Sequence, residues 1–248
     1  KTEYNNQSSL STFYAVGKEE ARVRSTAGVK YGTGSATGAS WYASTYSYRK
    51  KFVIDRTKVS GTSDLSNFPV LVSLTDADIK TTANGGKAAS GSGEFVLTSA
   101  DGTTVLDHEI ESYTATTGNL VAWVEVPTLS VSSDTVLYMY YGGPAAGATN
   151  QNKTGVWDAN YQGVYHLGEG DSTASGFYKD STTNARNGTL TDADGDSTAI
   201  TGKINGAIDL NGDADFVNVT HATALNPQTS DFTASVWFKT NTTLTNKR

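Results

Sequence analysis

The chain has 248 residues, 37% of them hydrophobic and 18% charged, with a formal net charge of −6 and a pI near 5.0. That size admits one large or two modest domains, and 13 Tyr, 8 Phe and 4 Trp supply enough core material to exclude a disordered chain. There is no basic stripe to meet nucleic acid and no run of about 18 apolar residues to span a membrane; with no cysteine, stability must come from packing, ions or partners instead of disulfides.

Residues 1–40 lack strand alternation. Tyr4, Leu10, Phe13, Tyr14, Gly17 and Ala21 recur at three- and four-residue steps, which predicts a helix, with Glu20 and Arg24 placed to pair on its surface. Two readings stand: an arm without fixed structure, or the tail of a longer helix whose apolar first half lies upstream. Thr26 to Ser40 is rich in Gly, Ser, Thr and Ala and reads as a linker. Lys1 is not an initiator methionine, and a removed leader or anchor, or a fragment, is expected on that ground.

From Trp41 the pattern becomes that of short strands: YRKKFVIDRT, FPVLVSLTD, EFVLTSADGTTVLDHEIESY, NLVAWVEVPTL and DTVLYMYYGGP, each bounded by Gly, Pro, Asn or Asp. Asp101-Gly102 marks a hairpin turn. In LVAWVEV, Val121, Trp123 and Glu125 share one face, and Ala122, Val124 and Val126 the other. At least six such strands without a helix predict an all-β chain with a sandwich over 41–146. A polar linker over 147–154 leads to a second set of blocks over 155–248: GVYHLGE, DSTTNARNGTL, GKINGAIDLNGDADFVNV and FTASVWFKT. Within the third block, Ile208 and Leu210 are expected to point inward, Asn211-Gly212-Asp213 to turn, and Val217 and Val219 to return as a hairpin.

The ordered blocks from Trp41 to Ala146 resemble a prokaryotic domain of secreted and surface proteins whose function is unknown. The resemblance implies an extracytoplasmic β-sandwich and supplies no catalytic residues. Residues 155–248 look like the N-terminal half of a concanavalin A-like, laminin G-like jelly roll. That resemblance implies missing strands, and so either a portion of a longer protein or a partner that completes the sheet.

Catalytic signals are sparse. Laminarinase-type relatives of the jelly roll carry an E-x-D-x-x-E strand, and no such motif occurs. Asp107, Glu109 and Glu111 share a strand face by alternation, which reads as the solvated outside of a sandwich. His108, His166 and His221 are scattered, no two at ligand spacing, and no G-x-S-x-G is present. The expectation is a protein that is not an enzyme.

Binding signals are stronger. Trp157, Tyr161, Tyr165 and Tyr178 cluster near the start of the second module, where ring faces can stack on sugars. The loop DADGDS, with Asp192, Asp194 and Asp196, resembles the start of an EF-hand loop but has its glycine at Gly195 and no Glu at the twelfth position. Asp213 and Asp215 form a second acidic turn, and laminin G-like relatives bind calcium near such loops. Both acidic runs also suit plain turn chemistry. Sequons at Asn6, Asn152, Asn187, Asn218 and Asn241 are candidate glycosylation sites.

The function these features imply is a non-enzymatic, extracellular or cell-surface binding protein with a lectin-like module, partnered by glycans or neighbouring surface proteins. A structural subunit of a self-assembling surface filament or layer, driven by the N-terminal arm, is the alternative. An accessory region of a larger glycosidase is a third reading.

Overall fold

A computed structural model describes residues 20–25, 28–31, 40–144, 150–210, 214–227, 229 and 231–240. The chain is all-β: among the described residues, strands dominate and helix is confined to isolated turns. No helix among them is long and apolar enough to cross a membrane. The chain divides into two compact units, one of residues 1–164 and 180–185, the other of 165–179 and 186–248.

The first unit is an antiparallel sandwich. Strands β1 (Glu20–Ser25), β2 (Gly28–Tyr31), β3 (Tyr48–Ile54), β5 (Val96–Thr98) and β8 (Thr135–Tyr141) form one sheet in the order β2-β1-β3-β8-β5. The other sheet is β4-β7-β6, from β4 (Leu65–Thr75), β6 (His108–Thr114) and β7 (Asn119–Leu129). Alternation along β7 decides its faces as the sequence predicts. Leu120, Ala122, Val124 and Val126 enter a core shared with Phe52, Ile54, Val70, Val72, Leu97, Leu137 and Met139, while Trp123 and Glu125 face outward. The described part of the N-terminal arm corrects one expectation: Glu20 and Ala21 pair with Arg49 and Tyr48 in a strand ladder, so Glu20 and Arg24 lie on a strand and not a helix surface. The upstream residues of the expected helix lie outside the described ones.

Charged groups inside this unit are matched locally. Arg49, 3% exposed, lies over the rings of Trp41 (5.0 Å) and Tyr138 (4.3 Å) and donates to the Ser40 carbonyl (3.1 Å). Lys50 pairs with Asp76, tying β3 in one sheet to the end of β4 in the other. Asp101 anchors the predicted turn, accepting from the Thr104 hydroxyl at 2.5 Å and from the Thr103 and Thr104 amides at 2.7 and 2.8 Å, and those donors hold its carboxyl well below the usual range. Gly102 takes φ +77° there, a region L side chains avoid, with its backbone against the Ser40 carbonyl.

The second unit holds β9 (Gly188–Thr191), β10 (Thr198–Thr201), β11 (Gly206–Asp209) and β12 (Phe216–Val219). They pair as two ribbons, β10 with β11 and β9 with β12. The hairpin expected between β11 and β12 is therefore corrected. β11 folds back on β10 through Gly202–Asn205, closed by the Gly202 amide on the Asn205 carbonyl (2.9 Å) with Asn205 at φ +51°. This four-residue turn ends on Asn205, since Gly206 already pairs with Thr201; residues 211–213, where the turn was expected, lie outside the described ones. Leu210, expected inward, is 37% exposed.

His108 makes a testable case. It is fully buried, its Nδ1 lies 2.9 Å from the Leu106 carbonyl, and its Nε2 has no hydrogen-bond partner among the described residues. A carbonyl only accepts, so Nδ1 carries a proton toward Leu106. Burial pushes its pKa below 6.5. The unfolded chain thus takes up the proton first, and this contribution to stability is complete above 6.5 and lost as pH falls through the folded value. Urea unfolding of the wild type is expected to weaken between pH 7 and 5.5 by up to about 1.4 kcal/mol per pH unit. His108→Leu is expected to flatten that slope.

Candidate functional site

Chemistry-bearing side chains gather at two places, one in each unit. In the first unit the place is the outer face of β6 and β7. Register sets Glu109 opposite Trp123, and a bulge between Ile110 and Ser112 inserts Glu111 as an extra residue. Glu111 accepts the Trp123 indole N–H at 2.8 Å. Glu109 was expected to be solvated with its neighbours; instead it is 7% exposed, because chain from the C-terminal side packs over it. The short helix α1 (Lys153–Val156) delivers Trp157, whose indole N–H donates to Glu109 Oε2 at 3.0 Å. Ser181 donates its hydroxyl to Oε1 at 2.6 Å. Gly155 allows α1 to seat against the Asp107 carboxylate, where a Cβ would collide.

The segment that brings Ser181 is itself fixed by polar contacts. Asp180 accepts from the Val164 and Thr182 amides at 3.1 and 3.0 Å, the Ser181 amide donates to the Val164 carbonyl at 2.9 Å, and Asn184 Nδ2 donates to the Tyr161 carbonyl at 3.2 Å. The result is a row of rings across the sheet: Trp123 to Trp157 at 5.3 Å between centroids and Trp157 to Tyr161 at 5.2 Å. Trp123 and Tyr161 at its ends are half-buried. Beside it stand Asp107, Glu125 and Asp158. Burial, then the Asp107 and Asp158 charges, push the Glu125 carboxyl up.

The second place is the β9–β10 loop. Asp192 organises it: Oδ1 accepts the Gly195 amide (2.7 Å) and Oδ2 the Ser197 hydroxyl (2.8 Å), and these donors pull its pKa down. Ser197, 3% exposed, also donates to Asp171 at 3.2 Å. Antiparallel pairing of Phe216 with Thr191 sets Asp215 across from Asp192, and Asp215 accepts the Ala193 amide at 3.3 Å. One oxygen from each of Asp192, Asp194, Asp196 and Asp215 falls within 4.8 Å of all the others. Oxygens sharing one calcium at about 2.3–2.6 Å are at most about 5 Å apart, so the four lie within the reach of one ion. Asp213 lies outside the described residues.

The four aromatic candidates are not one platform. Trp157 and Tyr161 belong to the first unit, Tyr165 and Tyr178 to the second. Trp157 is 6% exposed and Tyr178 fully buried, so neither offers a sugar an open face. Tyr165 is half-buried and donates its hydroxyl to the Arg186 carbonyl at 2.6 Å. Of the sequons, Asn152 and Asn218 are exposed, Asn187 is half-buried, and Asn6 and Asn241 lie outside the described residues. The sequence places Trp123 and Glu125 on one strand face, but gives no signal that Asp158 and Ser181 come to lie against it.

The fold and this site define an antiparallel sandwich whose outer sheet face is dressed with rings and carboxylates. A family model described as a domain of unknown function (DUF2341) matches residues 93–185. The match starts later than Trp41 and runs past Ala146 to Ala185, the last residue of the first unit. That end has a physical basis, since residues 180–185 complete the cover over β6 and β7. No curated protein and no solved structure matches the chain.

Two substitutions test this construction. Ser181→Ala removes a donor from a buried carboxylate and is expected to cost about 1–3 kcal/mol in urea unfolding. Glu125→Gln removes a charge that burial and its neighbours disfavour. A raised carboxyl pKa contributes stability below the unfolded value of 4.5, and that contribution is lost as pH rises. Glu125→Gln is therefore expected to raise the thermal midpoint at pH 7 and to give no gain at about pH 4.

Proposed function

We propose that the chain is a non-enzymatic binding protein of the cell exterior that engages glycans or neighbouring surface proteins, with calcium ordering its second unit. The observation that carries the calcium element is the convergence of Asp192, Asp194, Asp196 and Asp215 from two loops that the β9–β12 ladder brings together. Four carboxylates this close repel one another, and a dication offsets that repulsion while stitching the β9–β10 loop to β12. Exposed calcium modules with dissociation constants of about 10⁻⁴–10⁻³ M are loaded where calcium is abundant, which is outside cells. A cysteine-free chain also has use for an ionic staple where others use disulfides. The likeness of 155–248 to half of a concanavalin A-like, laminin G-like jelly roll belongs to this reading, and short antiparallel ribbons support it.

A filament or layer subunit is the second reading, and one observation favours it. Phe232, Val236 and Phe238 lie at alternate positions, 73–74% exposed, on a segment outside any ladder. Such a segment is suited to pairing with another chain. Regular fibres in electron micrographs of native material would favour this reading over a monomeric binder.

Calorimetric titration of the full chain with calcium alone is expected to give a dissociation constant of about 10⁻⁴–10⁻³ M. The Asp194→Asn/Asp215→Asn double variant is expected to abolish the signal. A wild-type titration without heat, matched by an unchanged thermal midpoint in calcium, would overturn the cation element.

A further inference from the structure

We propose that residues 231–240 pair with the same residues of a second copy of this chain, in a two-fold antiparallel ladder centred on Ser235. The proposal takes up the exposed segment on which the filament reading rests and closes it into a dimer; it does not depend on calcium or glycan binding.

The segment DFTASVWFKT runs without a turn or bend, lies outside any ladder among the described residues, and is exposed at every position. Its Phe, Thr, Val and Trp are residues that strands favour. Phe232, Val236 and Phe238 are 73–74% exposed, while every other exposed large apolar side chain among the described residues is at 52% or below. Period-two alternation sets Phe232, Ala234, Val236 and Phe238 on one face, and Thr233, Ser235, Trp237 and Lys239 on the other. The second face has a neighbour within its own unit, since Lys203 Nζ lies 6.0 Å from the Trp237 ring centroid. The first face carries the three most exposed of the large apolar side chains.

An exposed apolar strand without a ladder invites pairing, and this one specifies its partner. Its two charges sit near opposite ends, Asp231 and Lys239. Antiparallel self-pairing about Ser235 sets Asp231 opposite Lys239 twice over, Phe232 opposite Phe238, Thr233 opposite Trp237 and Ala234 opposite Val236. Opposite charges and paired rings directly across a ladder are the favourable combinations. Moving the centre to Ala234 or Val236 separates Asp231 from Lys239 and Phe232 from Phe238. A parallel pairing in register sets like charge against like at each end, which is unfavourable. The segment is therefore self-complementary in one register, and a two-fold contact made with the same surface of both copies closes at two chains. At the observed exposures Phe232, Val236, Trp237 and Phe238 present roughly 1,000 Å² over two copies, the low end for a specific interface. The dimer is accordingly reversible, with a dissociation constant on the order of 10 μM.

Sedimentation equilibrium of the full chain from about 1 to 300 μM is expected to show monomer and dimer alone. Asp231→Lys and Lys239→Asp are each expected to weaken the dimer about tenfold, since each sets like charges opposite at both ends. The Asp231→Lys/Lys239→Asp double variant is expected to restore it, and an equimolar mixture of the two single variants to form a heterodimer. Both side chains are exposed, so the thermal midpoints are expected to stay unchanged. Ser235 faces its own copy across the axis, and directly opposed Cα atoms about 4.5–5.5 Å apart lie within disulfide reach. In this cysteine-free chain Ser235→Cys is expected to give a cross-linked dimer on mild oxidation. Thr233→Cys, whose two copies lie about 13 Å apart along the ladder, is expected not to. A chain that is monomeric at every concentration overturns both the dimer and the filament reading. Fibres overturn the closed dimer and support the filament. A dimer that no charge variant affects, or that cross-links through Thr233→Cys and not Ser235→Cys, overturns the proposal.

Discussion

Taking a carboxylate out of water costs several kcal/mol unless donors replace the lost solvent, and Glu109 meets that requirement on what would otherwise be the wet side of a sheet. Its two oxygens take the Trp157 indole and the Ser181 hydroxyl. Those donors come from segments far along the chain, so satisfying Glu109 forces residues 150–164 and 180–185 to lie over β6 and β7. Further bonds support the cover at its approach: the Asn152 amide on the His108 carbonyl (3.1 Å) and Gln151 Oε1 on the Ile110 amide (2.7 Å). The row of rings and the placing of Asp158 beside Glu125 follow from this arrangement. So does the end of the first unit at Ala185, where the family match also ends.

Local pattern made much of the first unit legible. Period-two alternation in β7 assigned its faces, and Asp101-Gly102 located its turn, because both signals are confined to a few neighbouring residues. What was illegible depends on chain brought from elsewhere. Alternation places Asp107, Glu109 and Glu111 on one face and leaves them solvated; only the return of Trp157 and Ser181 buries Glu109. The bulge at Glu111 was illegible for a related reason, since register is a property of two strands and not of one. At β1, the three- and four-residue spacing pointed to a helix, yet Glu20 and Ala21 complete the β3 edge of the sheet, where a ladder outweighs local periodicity.

In the second unit β9, β11 and β12 fall within blocks that the sequence marks, but β10 falls between those blocks, the strand expected around Trp237 is outside any ladder, and the pairing was not legible. Two Asn-Gly pairs flank β11, and either one could close a hairpin with a neighbour. Asn205, held at φ +51°, closes the turn to β10. β12 is left to pair with β9, and this longer-range ladder assembles the acidic site. The sequence placed Asp192, Asp194 and Asp196 in one loop. Asp215 joins them because Phe216 lies opposite Thr191, which sets Asp215 beyond the end of the same ladder. The nested pairing of β10–β11 inside β9–β12 is thus both the correction to the expected hairpin and the reason a four-carboxylate group exists.

The carboxylates of the two units differ in whether the fold itself uses them. Glu109, Asp101 and Asp180 are each bonded to more than one protein donor, and each closes a turn or fixes a segment. Their chemistry is spent on structure. Glu125 is placed beside Asp107 and Asp158, where burial and their charges disfavour its ionised form, and Asp194 and Asp215 come from two loops to lie beside Asp192 and Asp196. An antiparallel sandwich has room to solve such conflicts with a lysine or a glutamine at no topological cost, as the Lys50–Asp76 pair between its sheets demonstrates. In the second unit the fold uses Asp192 to close its loop and Asp215 to hold the Ala193 amide, so the acidic group is positioned by the same ladder that pairs β9 with β12.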